Sequence, residues 1–335
     1  MQTWIVVVNY NGMEDTRRCL RSLAAMSCPA SVVVVDNASE IDPTDVLSRE
    51  FSWCHFVRNS VNGGWAGGNN TGIRFALDRG ASCVVLLNND TVVAADFVDR
   101  LETAAAAYPA YGIIGPVIRY LDPPHEVMTD GVVFNGPAAA GFFQRKIVPL
   151  VDSAVPPLTE VDIVNGCCML VRAEVFARIG LIDERFFLIH EESDFCLRAQ
   201  RAGFRLGVIG EALVWHKGSS AFKRTGKRLQ RYYDTRNLCL LLGKHAVRPG
   251  GRGPARSRWE FLKYTYYRYA IERDSGHGDS ADAVLEGLCD ALSRYFGPYV
   301  PRRRSVLPIL RRAFEVWRGR NGQNKGADVR APAVC

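Results

Sequence analysis

Asp90 is the residue around which chemistry is easiest to place. It closes the run Cys83-Val84-Val85-Leu86-Leu87-Asn88-Asn89-Asp90, whose unbroken apolar stretch reads as a strand buried on both faces. Ligands of open α/β sheets bind just outside the carboxyl ends of the strands. A carboxylate at that tip can offer an oxygen to a hard divalent cation. The plainer reading is a turn, which Asn and Asp favour through local hydrogen bonds. Glu191, Glu192 and Asp194 crowd a helix start, an arrangement the helix dipole alone favours by about 0.3–1 kcal/mol each. Asp36 ends another strand and has the same turn alternative. His216 follows Trp215 near the end of a third, where an ordinary half-buried histidine is the competing account. Cys167 and Cys168 read as packing rather than redox groups.

These groups need elements that gather strand ends. Residues 4–8 form a first buried strand, followed by the polar turn Asn9-Tyr10-Asn11-Gly12 and a helix from 14 to 26. Residues 31–35 form a second strand ending in Asp36-Asn37-Ala38-Ser39, then a helix (43–50) and a weak strand (54–58). The run from Asn59 to Gly72 carries Gly63, Gly64, Gly67 and Gly68. Such glycines let backbone approach a ligand closely, and the helix expected after them offers free N–H groups to an anion. The Asp90 strand and a helix over 95–107 complete a doubly wound α/β pattern. Asp36 superficially fits the ribose-binding acid of a dinucleotide fold. However, the first turn lacks GxGxxG and the glycines follow the third strand, so hydride transfer is a poor fit.

Residues 110–164 contain seven prolines, from Pro116 to Pro157. They read as short strands and a mobile loop near an acceptor site. Regularity returns with Asn165-Gly166-Cys167-Cys168-Met169-Leu170-Val171-Arg172, a helix over 173–179 and a helix that stops at Gly203. A last strand over 205–209 precedes Ala212–Ser220.

The chain has 335 residues, 47% hydrophobic and 23% charged, an ordinary soluble balance with room for one large domain or two modest ones. No apolar run reaches the length of a membrane span, and no secretory signal is expected. Ten scattered cysteines without CxxC spacing suit reduced thiols in a cytoplasmic protein. From Ala246 onward Lys and Arg number 17 against 9 Asp and Glu, whereas residues 1–245 carry 25 basic and 26 acidic side chains. The basicity belongs to the tail.

Taken in order, seven segments resemble the family 2 glycosyltransferases of the GT-A fold, nearest the bacterial rhamnosyltransferase type. They are Val8–Gly12, Val35–Ser39, Asn62–Gly72, Leu87–Asp90, Gly166–Leu170, Glu191–Arg198 and Trp215-His216, spread over residues 3–222. The resemblance implies a Rossmann-like GT-A sheet and an inverting transfer. The sugar would move from a nucleotide-diphosphate donor to a saccharide or lipid-linked acceptor in cell-surface glycan synthesis. It implies Mg²⁺ or Mn²⁺ held by Asp90 and His216. Asp36, Asn9, Tyr10, Asn11, Asn62, Gly67, Asn70, Asn88 and Asn89 would line the donor site. Gly166, Cys167, Glu191 and Trp215 would lie on the acceptor side. The family's base falls on Glu192, with Asp194 as the fallback. Two departures stand out: Asn88 occupies the first position of the DXD-like element, and Glu192 stands where the family usually has aspartate. They motivate a competing reading as a catalytically silent nucleotide-sugar-binding partner protein. A nucleotidyltransferase is disfavoured because no basic glycine-rich loop opens the chain.

The expected organisation is a catalytic domain over 1–222, a basic helical extension over 223–318 and a disordered tail over 319–335. Helices are expected at 259–271, 281–296 and 306–317, the last with Leu307, Leu310, Phe314 and Trp317 on one side. A basic amphipathic pattern with Trp and Phe suits peripheral contact with an anionic inner membrane face. A helical cap or homodimer contact is the alternative. No nucleic-acid motif is present.

Overall fold

The computed structural model describes residues 1–28, 30–129, 131–132, 157–218, 227–245, 254–301 and 306–322. These form two compact units, one taking in described residues up to 187 and 191–218, the other 188–190 and 227–322.

The first unit is a mixed sheet with helices. Its strands are β1 (Thr3–Asn9), β2 (Ser31–Asp36), β3 (His55–Arg58), β4 (Cys83–Asn88), β5 (Thr91–Val93), β6 (Tyr111–Tyr120), β7 (Val127–Thr129), β8 (Leu158–Glu160), β9 (Cys168–Arg172) and β10 (Arg205–His216). The sheet order is β3-β2-β1-β4-β9-β6-β10-β5, with β7 on β6 and β8 on β10. β1 to β4 run parallel, and β9 enters antiparallel between β4 and β6. Helices α1 (Met13–Ala24), α2 (Thr44–Glu50), α3 (Gly64–Leu77), α4 (Phe97–Ala107), α5 (Ala173–Ile179) and α6 (Glu191–Arg201) complete the unit.

Alternation along β1 decides which helix each side chain meets. Ile5 and Val7 enter the core cluster that includes Cys19, Leu20 and Leu23 of α1, while Val6 and Val8 face α3. This corrects the reading of the glycine run. The helix begins at Gly64, inside the run rather than after it. A Cβ on Gly68 would stand 2.6 Å from Val8 Cγ1, and one on Gly72 would stand 2.2 Å from Val6 Cγ1. Gly68 and Gly72 let helix and strand approach closely. Gly72→Ala is expected to destabilise the fold by about 1–3 kcal/mol through overpacking, read as a lowered melting temperature with unchanged secondary structure.

Two further expectations are corrected. Pro116 does not break the chain but sits within the ten-residue β6. Pairing with β9 has ended at Ile114, pairing with β7 starts at Ile118, and β10 shifts register beyond Ile209↔Pro116. The missing N–H therefore falls where the ladder is irregular. That same irregularity lets β10 run as one strand from Arg205 to His216 instead of ending at 209. The expected loop before β8 lies largely outside the described residues.

The second unit holds α7 (Lys227–His245), α8 (Pro254–Asp274), α9 (Gly278–Leu292) and α10 (Leu307–Gly322). Leu238, Phe261, Tyr269, Val284, Leu285, Leu288 and Phe314 form its core. α10 runs on to Gly322, and the rest of the expected tail lies outside the described residues.

Candidate active site

Register brings the predicted residues of the parallel strands to one edge. Asn9 pairs with Asp36 across β1 and β2, and Val8 pairs with Asn88 across β1 and β4. Asp36 is 3% exposed, and its carboxylate is heavily engaged. Oδ1 accepts from Asn9 Nδ2 at 2.8 Å and from Ser39 Oγ at 2.6 Å. Oδ2 accepts from the Ser39 N–H at 3.2 Å and pairs with Arg58 at 3.1 Å. Asn11, at φ 50°, accepts from the Glu40 N–H at 2.9 Å and donates its own N–H to Ser39. Tyr10 stays 43% exposed beside this knot. Asn37 Nδ2 donates to Asn62 Oδ1 at 3.0 Å and Gly64 O at 2.8 Å, fixing the entry to α3. Asn70 is turned away from the tip. It donates to Ile182 O and Glu184 Oε1 and accepts from the Ile182 N–H. Gly67 lies inside α3 with Glu184 as its nearest neighbour.

At the tip of β4 the chain turns through Asn89 and Asp90 into β5. Asn89 Nδ2 donates to Thr16 Oγ1 at 2.9 Å. Asp90 Oδ1 lies 2.8 Å from His216 Nε2, although 126 residues separate them. Antiparallel pairing of β10 with β5 sets this meeting, since His216 stands opposite Thr91. Both side chains are buried. Burial opposes charge on His216, but the adjoining Cys167 sulfur and the Asp90 carboxylate outweigh it and lift its pKa to about 11. Burial raises the Cys167 thiol in turn, against the pull of His216. Among the described residues no cluster of three or more His, Cys, Asp or Glu side chains is arranged to hold a metal by itself.

A chain of contacts runs from this tip to the acid corner. Trp65 Nε1 donates to Asn88 Oδ1 at 2.9 Å. A Cβ on Gly166 would meet Trp65 Cζ2 at 3.2 Å and Glu192 Cβ at 3.3 Å. The next residue, Cys167, accepts through its carbonyl from the Asn88 N–H at 2.9 Å. Glu192 therefore stands one indole and one glycine from Asn88. Asp194 behaves differently. It is fully buried and accepts from Arg198 Nε at 2.8 Å, and Arg198 also donates to Ile179 O and Leu181 O. Trp215 donates to Pro124 O at 3.2 Å.

Glu191 begins α6 at 6% exposure, and its Oε2 is buried without a hydrogen-bond partner. Burial first, and then the neighbouring Glu192, hold its carboxyl well above 4.5. A folded-state pKa raised this way contributes stability below the unfolded value and loses it as pH rises. Glu191→Gln, which cannot ionise, is therefore expected to melt progressively higher than wild type as pH climbs above 4.5. Below that value the two should converge, and parallel melting curves across pH would contradict the account.

Trp65 and Asn37 were not singled out from sequence. Asn37 had a signal, its place in the strand-end cluster Asp36–Ser39. Trp65 had only its setting among glycines, which does not specify its partner.

The first unit has the GT-A fold, shared with the crystal structure of S. aureus TarS 1–349 in complex with UDP-GlcNAc, which superposes with a TM-score of 0.55 at 16% identity over 98% of this chain and 93% of that one. Residues 4–180 match the family model described as Glycosyl transferase family 2, and the chain belongs to that family. The low-salt glycan biosynthesis hexosyltransferase Agl10 of Haloferax volcanii is 31% identical over 245 residues, covering 70% of this chain and 74% of its own. The dTDP-rhamnosyl transferase RfbF of Shigella flexneri is 27% identical over 252 residues, covering 73% and 81%.

Proposed function

We propose that the protein is an inverting hexosyltransferase. It moves a sugar from a nucleoside-diphosphate donor, dTDP-rhamnose first and UDP-sugars next, to a hydroxyl of a saccharide or lipid-linked acceptor. The observation that carries this reading is the Asn88–Trp65–Gly166–Glu192 chain of contacts. It links Glu192 to the tip of β4, next to which Asp90 meets His216.

Glu192 accepts the acceptor hydroxyl's proton as that oxygen attacks the anomeric carbon from the face opposite the diphosphate. Burial and the neighbouring Glu192 raise the Glu191 carboxyl, which favours its uncharged form beside the base. Asp194 and Arg198 anchor the helix on which the base rides. Asn9, Asn11 and Asp36 shape the nucleotide pocket, Asp36 through the side chains it orders. Asp90 and His216, an oxygen and a nitrogen 2.8 Å apart, would hold a divalent cation once the imidazole gives up the proton it shares with Asp90, since only the neutral ring can ligate. When bound, Mg²⁺ or Mn²⁺ supplies positive charge opposite the departing diphosphate.

The reading is tested with a panel of nucleotide sugars and saccharide or polyprenyl-linked acceptors, with and without chelator. Nucleoside diphosphate released only with acceptor and metal is the expected outcome. Pyrophosphate release would point to nucleotidyl transfer, and binding without turnover to a silent relative.

The helical extension suits a membrane-bound acceptor. Val306, Ile309 and Val316 share an exposed face of the last helical segment, and Arg312 is exposed beside them. Sedimentation with phosphatidylglycerol vesicles is expected to fall about tenfold for Ile309→Glu, while zwitterionic vesicles retain little of either protein. No helix among the described residues is long and apolar enough to cross a membrane.

A further inference from the structure

The chain reaches α6 through an unusual backbone. Phe187, Ile189 and His190 have φ of 64°, 70° and 72°, a left-handed region that L-residues avoid, β-branched ones most of all. Such conformations persist where the surroundings over-determine them, and they cluster at functional sites. Leu188–His190 belong by their packing to the helical unit, and two residues of α7 grip them. Asn237, fully buried, donates from Nδ2 to Leu188 O at 2.6 Å and to Ile189 O at 2.8 Å. Its Oδ1 accepts from Arg236 Nε at 2.9 Å, which fixes which end of the amide faces the carbonyls. Asp234 Oδ1 lies 3.1 Å from His190 Nε2, and Oδ2 accepts from Tyr264 OH at 2.9 Å. Arg268 backs this pair, donating to Tyr264 OH at 2.8 Å. The next two residues in the chain are Glu191 and Glu192.

We propose that Asn237 and Asp234 are positioning residues of the transfer reaction, holding the Leu188–His190 segment so that Ile189 and His190 keep the left-handed conformation that sets Glu192 on the first turn of α6. The inference rests on Glu192 as the base. Two backbone carbonyls and an imidazole are the handles, and no side chain of the grip touches substrate. Releasing them lets Ile189 and His190 relax toward ordinary φ values and rotates the start of the helix. A misplacement of about 1 Å at a reacting group can cost on the order of 100-fold in rate.

The test uses the full-length protein. In Asn237→Ala, amide hydrogen exchange across residues 186–195 should accelerate, a readout that needs no donor. With whichever nucleotide sugar of the panel supports turnover, dTDP-rhamnose being tried first, kcat should fall about 100-fold with donor KM within about twofold. In a Glu192→Gln background the same substitution should add no further loss, because the two act on one step. Wild-type exchange at 186–195, an unchanged kcat, or an equal loss in the Glu192→Gln background would each overturn the proposal. Should Asn237→Ala fail to fold, His190→Asn against His190→Val decides. Asn tolerates positive φ and keeps an N–H for Asp234, whereas Val does neither. Retained kcat in the first and lost kcat in the second is expected, and equal rates overturn the idea. A Glu192→Gln enzyme at wild-type rate would sink the base assignment, while exchange would still report on the grip.

Discussion

Glu192→Gln is expected to lower transfer by about 10²–10⁴-fold, the range general-base removal commonly gives. The amide is nearly isosteric, so donor affinity should stay within about twofold and the loss should appear in kcat. Glu192 Cβ packs 3.3 Å from where a Cβ on Gly166 would stand, so a same-size replacement disturbs little. Asp194→Asn is the control that separates the acids. It weakens the partner of Arg198, whose other bonds tie α6 to Ile179 and Leu181, and should lower the melting temperature more than the chemistry. If Glu192→Gln keeps near-normal turnover and Asp194→Asn does not, the base has been misassigned.

Asp90→Ala should abolish metal-stimulated turnover, a loss of about 10²–10³-fold or more given what one charge-stabilising group contributes in a dry site. The residual rate should no longer respond to chelator or to added Mn²⁺. Circular dichroism must show the fold retained, because the substitution also strips buried His216 of its 2.8 Å partner. Chelator sensitivity that survives intact would place the cation elsewhere.

Much of the frame is legible in the sequence. Runs such as Val32–Val35 and Val84–Leu87 cannot sit comfortably anywhere but a sheet covered on both faces, and they are fully buried. Polar residues at their ends then had to share an edge. The partner of Asp90 was harder, because His216 reaches it through β10, whose length depends on a register shift no local pattern announces. The start of the helix within the glycine run was hidden for a physical reason. Gly64, Gly68 and Gly72 recur every four residues, a helical period, yet a cluster of small residues also describes a ligand loop. Only the lack of room for a Cβ beside Val6 and Val8 shows that Gly72 and Gly68 serve the packing of helix on strand. The departures at positions 88 and 192 were visible at once, but what surrounds them was not.

The bond from Trp65 to Asn88 carries a consequence for the leaving group. An indole nitrogen gives a proton and never takes one, so it orients the amide: the oxygen is committed inward and the NH₂ end is what an incoming phosphate would meet. A tip with aspartate at both places would carry two anions, whereas this one has a single anion beside a donor. Any metal should therefore arrive chelated to its nucleotide and depart with it, and equilibrium dialysis against Mn²⁺ should register tight uptake only when dTDP or UDP is present.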